Sequence, residues 1–341
     1  MVLMNNTDGL VLDGYDLSVF DPTRPLPLII RPADGTNGDL VALASTQRDV
    51  LDALLVRYGA ILFRGFEIDT PHVFDRFISE VSSDAIFYSE RSSPRHSVYR
   101  NIYTSTDHPR DKEIRQHSEQ SYNKSFPRRI FFYCEKASTA GGATPLADAR
   151  KIYRGIPESI VKTFEARNYR YSRCFWQVMG TTWQTTFQTE SKESVESYCA
   201  DNDIHLQWQA GDVLKTYQVR PVTAYHPVSG EACWFNHCTF FNVLSLDEET
   251  QEVLQASFEP NELPNQTFFG DGEGIPDDVI RELQNAYDRE RTEFTWEQGD
   301  VLMIDNILVT HGRRSFEGDR SILCGMSDIV HWTQVGAAPG G

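Results

Sequence analysis

The sequence predicts a mainly β protein with helices (α+β): a β-sandwich or barrel carrying an inserted helical subdomain. Three observations predict it. The last third of the 341 residues reads as strand after strand, and a second strand-rich block lies at 126–148. The helical patterns fall between and before these blocks rather than alternating with single strands, which excludes a doubly wound α/β sheet. No internal repeat or low-complexity linker divides the chain, so residues 1–341 are expected to form a single catalytic domain. Residues 151–225 are expected to form a helical or irregular insert.

In chain order, TQRDVLDALLVRYG places Val50, Leu51, Leu54, Leu55 and Tyr58 at helical spacing, with Gly59 as its stop. AILFRGF (60–66) follows as a short strand. Residues 70–80 predict another helix, with Thr70 as cap and Pro71 in the first turn. RRIFFYCE (128–135) reads as a buried strand; Gly141 and Gly142 break it, and ATPLADA continues as a second strand. Helical patterns return at 150–167, 191–201 and 276–290. In EFTWEQGDVLMIDNILVTHGRR a turn at 298–300 separates two strands, the second running through MIDNILVTH to His311. FEGDR then makes a Gly-centred turn, and SILCGMSDI is read as the neighbouring return strand.

Composition bounds the function. Lys and Arg number 32 against 49 Asp and Glu, a formal charge of −17, which repels phosphate backbones and anionic lipid; neither nucleic acid nor membrane is expected as a partner. Aromatic content of 12% excludes a disordered chain. The six cysteines include no CxxC pair, as in a reduced cytoplasmic protein. The N-terminal text has no signal-peptide pattern, and 18 apolar residues never run together. A cytoplasmic location is expected.

The sharpest local pattern is QHSEQSY at 116–122. On a strand, His117 and Glu119 leave the same face and can converge on one metal ion. Alone the pair carries little: with nine His and 49 acidic residues, about one His-x-acid pair arises by chance. A zinc-deaminase reading fails, because no Pro-Cys-x-x-Cys follows. A non-haem iron site needs two His and one carboxylate, and His311, closing a core strand, supplies the third ligand. Nine residues on, Arg320 can grip the far carboxylate of a dicarboxylate chelated to that iron, with Thr144 adding a hydroxyl. Each residue alone also fits an ordinary structural role; their joint order and spacing carries the reading.

Longer stretches extend the pattern: ILFRGF (61–66), HSEQSY (117–122), FPRRIFFYCEKASTAGGATPLADAR (126–150), WQTTFQT (183–189), HPVSGEACWFNH (226–237) and GDVLMIDNILVTHGRRSFEGDR (299–320). In these the sequence resembles the taurine dioxygenase/clavaminate synthase-like superfamily of Fe(II)- and 2-oxoglutarate-dependent oxygenases. Within it, the chain is most similar to the branch containing the β-hydroxylases of syringomycin-type nonribosomal peptide pathways. The resemblance implies a double-stranded β-helix (jelly roll) core. It implies His117, Glu119 and His311 as iron ligands, Thr144 and Arg320 on the 2-oxoglutarate carboxylate, and O2 as oxidant. Related halogenases replace the carboxylate ligand by a small residue; Glu119 is intact, which points away from halogenation. Hydroxylation of an unactivated C–H bond is the activity the resemblance implies.

The implied substrate is an amino acid, free or tethered to a peptidyl carrier protein, in specialised-metabolite biosynthesis. Tyr122, Asn236 and Arg313 are the candidate substrate contacts. Trp183, Phe235, His237, Arg128 and Arg129 are further candidates, Trp183 and Phe235 fitting core packing better. Asp305 and Asn306 read as support for the metal site. Desaturation, cyclisation or epoxidation would use the same residues, and a binding protein that had lost catalysis would be expected to lack one of them. Homo-oligomers are common in the family.

Overall fold

The computed structural model describes residues 2–3, 10–36, 38–82, 97–106, 108–177 and 179–338. Two sheets form its centre. The larger has nine strands in the order Val2–Leu3, Tyr15–Asp21, Arg24–Pro32, Ala60–Phe63, Val301–Asp305, Ser125–Lys136, Ser321–His331, Ile102–Thr104 and Ser97–Tyr99. Its pairings are antiparallel except that Arg24–Pro32 runs parallel to Ala60–Phe63. The smaller sheet is Thr292–Phe294, Thr144–Asp148, Val309–Arg313 and Ile114–His117, antiparallel throughout.

The central strands of the larger sheet are apolar on nearly every residue because both faces are covered, and their alternate side chains serve two cores. Leu62, Ile130, Phe132, Leu302, Ile304 and Cys324 join Leu146, Val309 and Phe294 of the smaller sheet in one cluster. Ile61, Phe63, Phe131, Tyr133, Val301 and Met303 pack instead on the helices Leu40–Thr46, Arg48–Tyr58 and Pro71–Val81. Each such large side chain contributes roughly 1.5–3 kcal/mol of burial. The helix ends follow their residue chemistry. Thr70 accepts a hydrogen bond from the Val73 N–H with Pro71 in the first turn. Gly59 ends its helix at φ 79°, where an added Cβ would lie 2.5 Å from Val309 Cγ2.

Several sequence expectations are revised. MIDNILVTH is two strands in different sheets, Val301–Asp305 and Val309–Arg313, because the chain turns between them. The Asp305 carboxylate ties that turn, accepting from the N–H groups of Ile307 at 3.1 Å and Leu308 at 3.4 Å. SILCGMSDI does not return beside His311; as Ser321–His331 it pairs with Ser125–Lys136 in the larger sheet. His311 and Arg320 therefore come from opposite sheets. The 150–167 pattern divides into Ala149–Gly155 and Glu158–Arg167 at Pro157, whose ring disfavours helical geometry at Ile156.

Within 151–225 the chain forms helices, including Lys192–Asp201, and also the strands Tyr169–Phe175, His205–Trp208 and Leu214–Arg220. With Asn265–Phe269 these make a third antiparallel sheet. All six cysteines are free and buried. Among the described residues no helix is long and apolar enough to cross a membrane.

Candidate metal centre

His117 is the last residue of the Ile114–His117 strand, and His311 is its register partner on the neighbouring strand. The strands come unusually close there: a Cβ on Gly312 would lie 2.5 Å from the Ile114 carbonyl oxygen, so only glycine fits beside His311. Glu119 Oε2 lies 4.0 Å from His117 Nε2 and 3.9 Å from His311 Nε2. The three ligand atoms all fall within 4.8 Å of one another. His117 Nδ1 is 2.9 Å from the Arg115 carbonyl oxygen, which accepts its N–H and leaves the Nε2 lone pair for a metal. Two imidazoles and a carboxylate converging on one side fit the donor set of non-haem iron(II).

Strand alternation is not what brings Glu119 to His117. The strand ends at His117 and Glu119 sits in a turn, where Gln120 adopts φ 55° and Asn123 N–H bonds to the Gln120 carbonyl at 2.9 Å. Asn306 holds that turn: its Oδ1 accepts from Glu119 N–H at 2.7 Å, while Nδ2 donates to the carbonyls of Glu119 at 2.9 Å and Pro127 at 2.8 Å. Neighbouring Asp305 accepts from Arg128 at 3.1 Å and lies 3.0 Å from His226 Nε2. Burial pushes the Asp305 carboxyl up, but the His226 hydrogen bond and the His226 and Arg128 charges outweigh it and hold it below the usual carboxylate range.

The trio lines a cavity of about 810 Å³ that also takes in Thr144, Trp296, Arg320, Arg313 and His237. Thr144 Oγ1 accepts from Trp296 Nε1 at 2.9 Å, which leaves its own hydrogen to donate into the cavity. Arg320 reaches only the Gly142 carbonyl, at 3.4 Å, and no carboxylate pairs with it among the described residues. Burial, with Arg313 nearby, pushes its guanidinium down to about 10, still protonated at neutral pH. A half-buried cation without a counter-ion is a site for an anion. Guanidinium and hydroxyl together fit the far carboxylate of 2-oxoglutarate.

Aromatic rings shield the metal side. Phe240 lies 4.6 Å from the His117 ring and Phe132 5.3 Å from that of His311, centre to centre. His237, 5.5 Å from the His117 ring, is held well below the ordinary histidine range by burial and by His117.

The substrate candidates are placed differently from the sequence expectation. Tyr122 does not line the cavity; its ring is buried edge-on to Tyr171, His237 and Phe241. Asn236 is committed to backbone, donating to the Val222 carbonyl at 3.0 Å and accepting from Cys238 N–H at 2.9 Å. Arg313 lines the cavity, but its terminal nitrogens donate to the carbonyls of His108, Pro109 and Lys112. Trp183 packs in a separate cluster with Phe175 and Leu214, and Phe235 packs in the sandwich core. Arg128 pairs with Asp305; Arg129 pairs with Asp52 and Asp328. His237 alone of these further candidates reaches the cavity.

Sequence reasoning missed Trp296 and Ser121. Trp296 stands two residues beyond a strand partner of Thr144, a pairing that no local pattern reveals. Ser121 lay inside the metal motif without a role.

The family model described as "Taurine catabolism dioxygenase TauD, TfdA family" matches residues 22–327. Dapdiamide synthesis protein DdaC of Enterobacter agglomerans is 38% identical over 281 residues, covering 82% of this chain and 85% of that protein. The solved structure of AAD-2 in complex with Mn(II) and N-oxalylglycine aligns with a TM-score of 0.53 at 12% identity, over 92% of this chain and 96% of that one. PvcB, an Fe, α-ketoglutarate dependent oxygenase from an isonitrile synthetic pathway, gives 0.52 at 13% identity, over 96% and 94%. These two likenesses establish the fold, the jelly-roll sandwich with helices that the sequence led one to expect.

Proposed function

Because this chain belongs to the TauD/TfdA family and is an Fe(II)- and 2-oxoglutarate-dependent oxygenase, we propose that it hydroxylates an unactivated C–H bond of an amino acid or amino-acid-derived substrate. The substrate is taken free or as a thioester on a peptidyl carrier protein, in specialised-metabolite biosynthesis. The observation that carries the oxygenase chemistry, against halogenation, is the complete donor trio, with Glu119 in place between His117 and His311; hydroxylation as its outcome follows the resemblance to the β-hydroxylase branch. Similarity to a dapdiamide synthesis protein supports the biosynthetic setting.

In this reading His117, Glu119 and His311 hold iron, and Arg320 and Thr144 hold the far carboxylate of 2-oxoglutarate. Iron bound there supplies dioxygen activation coupled to decarboxylation of 2-oxoglutarate to succinate and CO2. The chain's own residues perform no proton transfer; they fix geometry. Asn306 orients the Glu119 turn, Arg320 sets the cosubstrate's direction, and Phe240 and Phe132 keep water from the reacting side.

The test is incubation with Fe(II), 2-oxoglutarate and oxygen against a panel of L-amino acids and their N-acetylcysteamine thioesters. Substrate-dependent succinate release with a product heavier by one oxygen atom is expected. A product lighter by two hydrogens overturns hydroxylation in favour of desaturation, and no coupled succinate overturns the substrate class.

A further inference from the structure

Among the polar groups of the cavity wall is the His237 imidazole, whose neighbours decide whether it donates or accepts. His237 is only 2% exposed and lines the cavity. Its Nδ1 lies 2.6 Å from Ser121 Oγ. Ser121 is fully buried, and among the described residues His237 is the sole partner of its hydroxyl. A hydroxyl has one hydrogen to place. With a proton on Nδ1, the Ser121 hydrogen would be left buried without an acceptor, the costly arrangement. Ser121 therefore donates to Nδ1, and the ring's proton rests on Nε2.

No hydrogen bond involves Nε2 among the described residues, and the His237 side chain lines the cavity that holds the metal trio. The backbone next to the ring is fixed at Cys238. Asn236 accepts from Cys238 N–H at 2.9 Å, and Thr267 donates to the Cys238 carbonyl at 2.8 Å. Tyr122 stands edge-on to the ring at 4.9 Å. An N–H held this firmly and without an acceptor is prepared for an oxygen of the ligand.

The geometry points to His237, locked in the Nε2–H tautomer by Ser121, as the residue that binds an acyl oxygen of the substrate and so determines which carbon faces the iron. The acceptor is the carboxylate of a free amino acid or the carbonyl of its thioester. This rests on the amino-acid reading above and adds the group recognised and the residue that recognises it.

Two measurements test it. Nitrogen NMR of the isotopically labelled histidines, without substrate, is expected to show the signals lost in His237→Phe as an Nε2–H imidazole, and as a tautomer mixture in Ser121→Ala. A wild-type Nδ1–H form overturns the lock. On the amino acid and thioester panel, His237→Phe is expected to raise substrate KM about tenfold or more, a loss of about 1.4 kcal/mol, and to shift the position oxidised. The 2-oxoglutarate requirement should not move. His237→Gln keeps a donor at the same reach and should recover part of the affinity. Free acids and thioesters losing affinity unequally identifies which acyl form is bound. Unchanged substrate KM in a folded, active His237→Phe enzyme overturns the assignment while leaving the hydroxylase reading standing. A wild type that turns over nothing on the panel overturns that reading and this assignment with it, whatever tautomer is found.

Discussion

Asn306 grips the backbone of Glu119 from both sides, accepting its N–H at 2.7 Å and donating to its carbonyl at 2.9 Å. The two residues are 187 positions apart. Asn306 stands in the turn that carries the chain from the larger sheet to the smaller, five residues before His311, so one corner of the sandwich fixes two of the proposed metal ligands at once.

Asn306→Ala should therefore loosen the site more than the fold around it. Removing the side chain leaves buried backbone groups unpaired, a cost of about 1–3 kcal/mol in stability. Fe(II) affinity should fall about 10–100-fold, the range for residues that orient ligands. Anaerobic Fe(II) titration beside a thermal melt of the metal-stripped protein reads the two effects separately. Equal metal affinity in variant and wild type contradicts the prediction.

Arg320→Gln should act in opposite directions on cosubstrate and stability. The 2-oxoglutarate KM should rise steeply, about 10–100-fold for loss of a charge-assisted hydrogen bond of roughly 1.5–3 kcal/mol. The cosubstrate-free protein should melt no lower than wild type, because the substitution removes an uncompensated cation from a half-buried position. Succinate release against 2-oxoglutarate concentration, and a melt without ligand, check both halves.

Gly312→Ala should be damaging although the change is one methyl group. Its Cβ would lie 2.5 Å from a backbone oxygen, which cannot rotate away as a side chain can. A loss of about 1–3 kcal/mol is expected, with the His117 and His311 strands pushed apart. Chemical denaturation measures the first effect and Fe(II) affinity the second.

Asp305 should contribute an acid limb to stability. Its carboxyl, raised by burial but lowered further by His226 and Arg128, has a folded-state value below the unfolded one. Its contribution is fully present above the unfolded value, about 3.9, and is lost as pH falls through the folded value. In melts across acidic pH, Asp305→Asn should start less stable at neutral pH and lose less on acidification. A parallel decline in both proteins would contradict this.

Much of this architecture is legible in the sequence where a short pattern has a local physical cause. Thr70-Pro71 caps its helix, Gly59 stops one, and the strand expected at 128–135 shows its burial through the apolar run IFFYC at its centre. The convergence of His117, Glu119 and His311 is legible because ligand chemistry restricts residue type. What failed has equally physical reasons. The crossing at 306–308 is hidden because Ile307 and Leu308 are as apolar as the strands they separate. Tyr122 and Asn236 lie close in sequence to cavity residues, yet closeness along the chain does not set direction: one turns into aromatic packing and the other into backbone hydrogen bonds. The Ser121–His237 pair joins residues 116 positions apart and has no local sequence pattern at all.

The burial of all six cysteines has a consequence of its own in an enzyme that handles dioxygen beside a redox metal. Desolvation pushes the Cys174 thiol up to about 11 and those of Cys134 and Cys238 up to about 12, so these three stay protonated at any physiological pH. Peroxide escaping from an unproductive turnover attacks thiolates, and it meets none of these at the protein surface. Self-inflicted damage is thereby steered away from these thiols and toward the thioether of Met179, which lines the cavity itself.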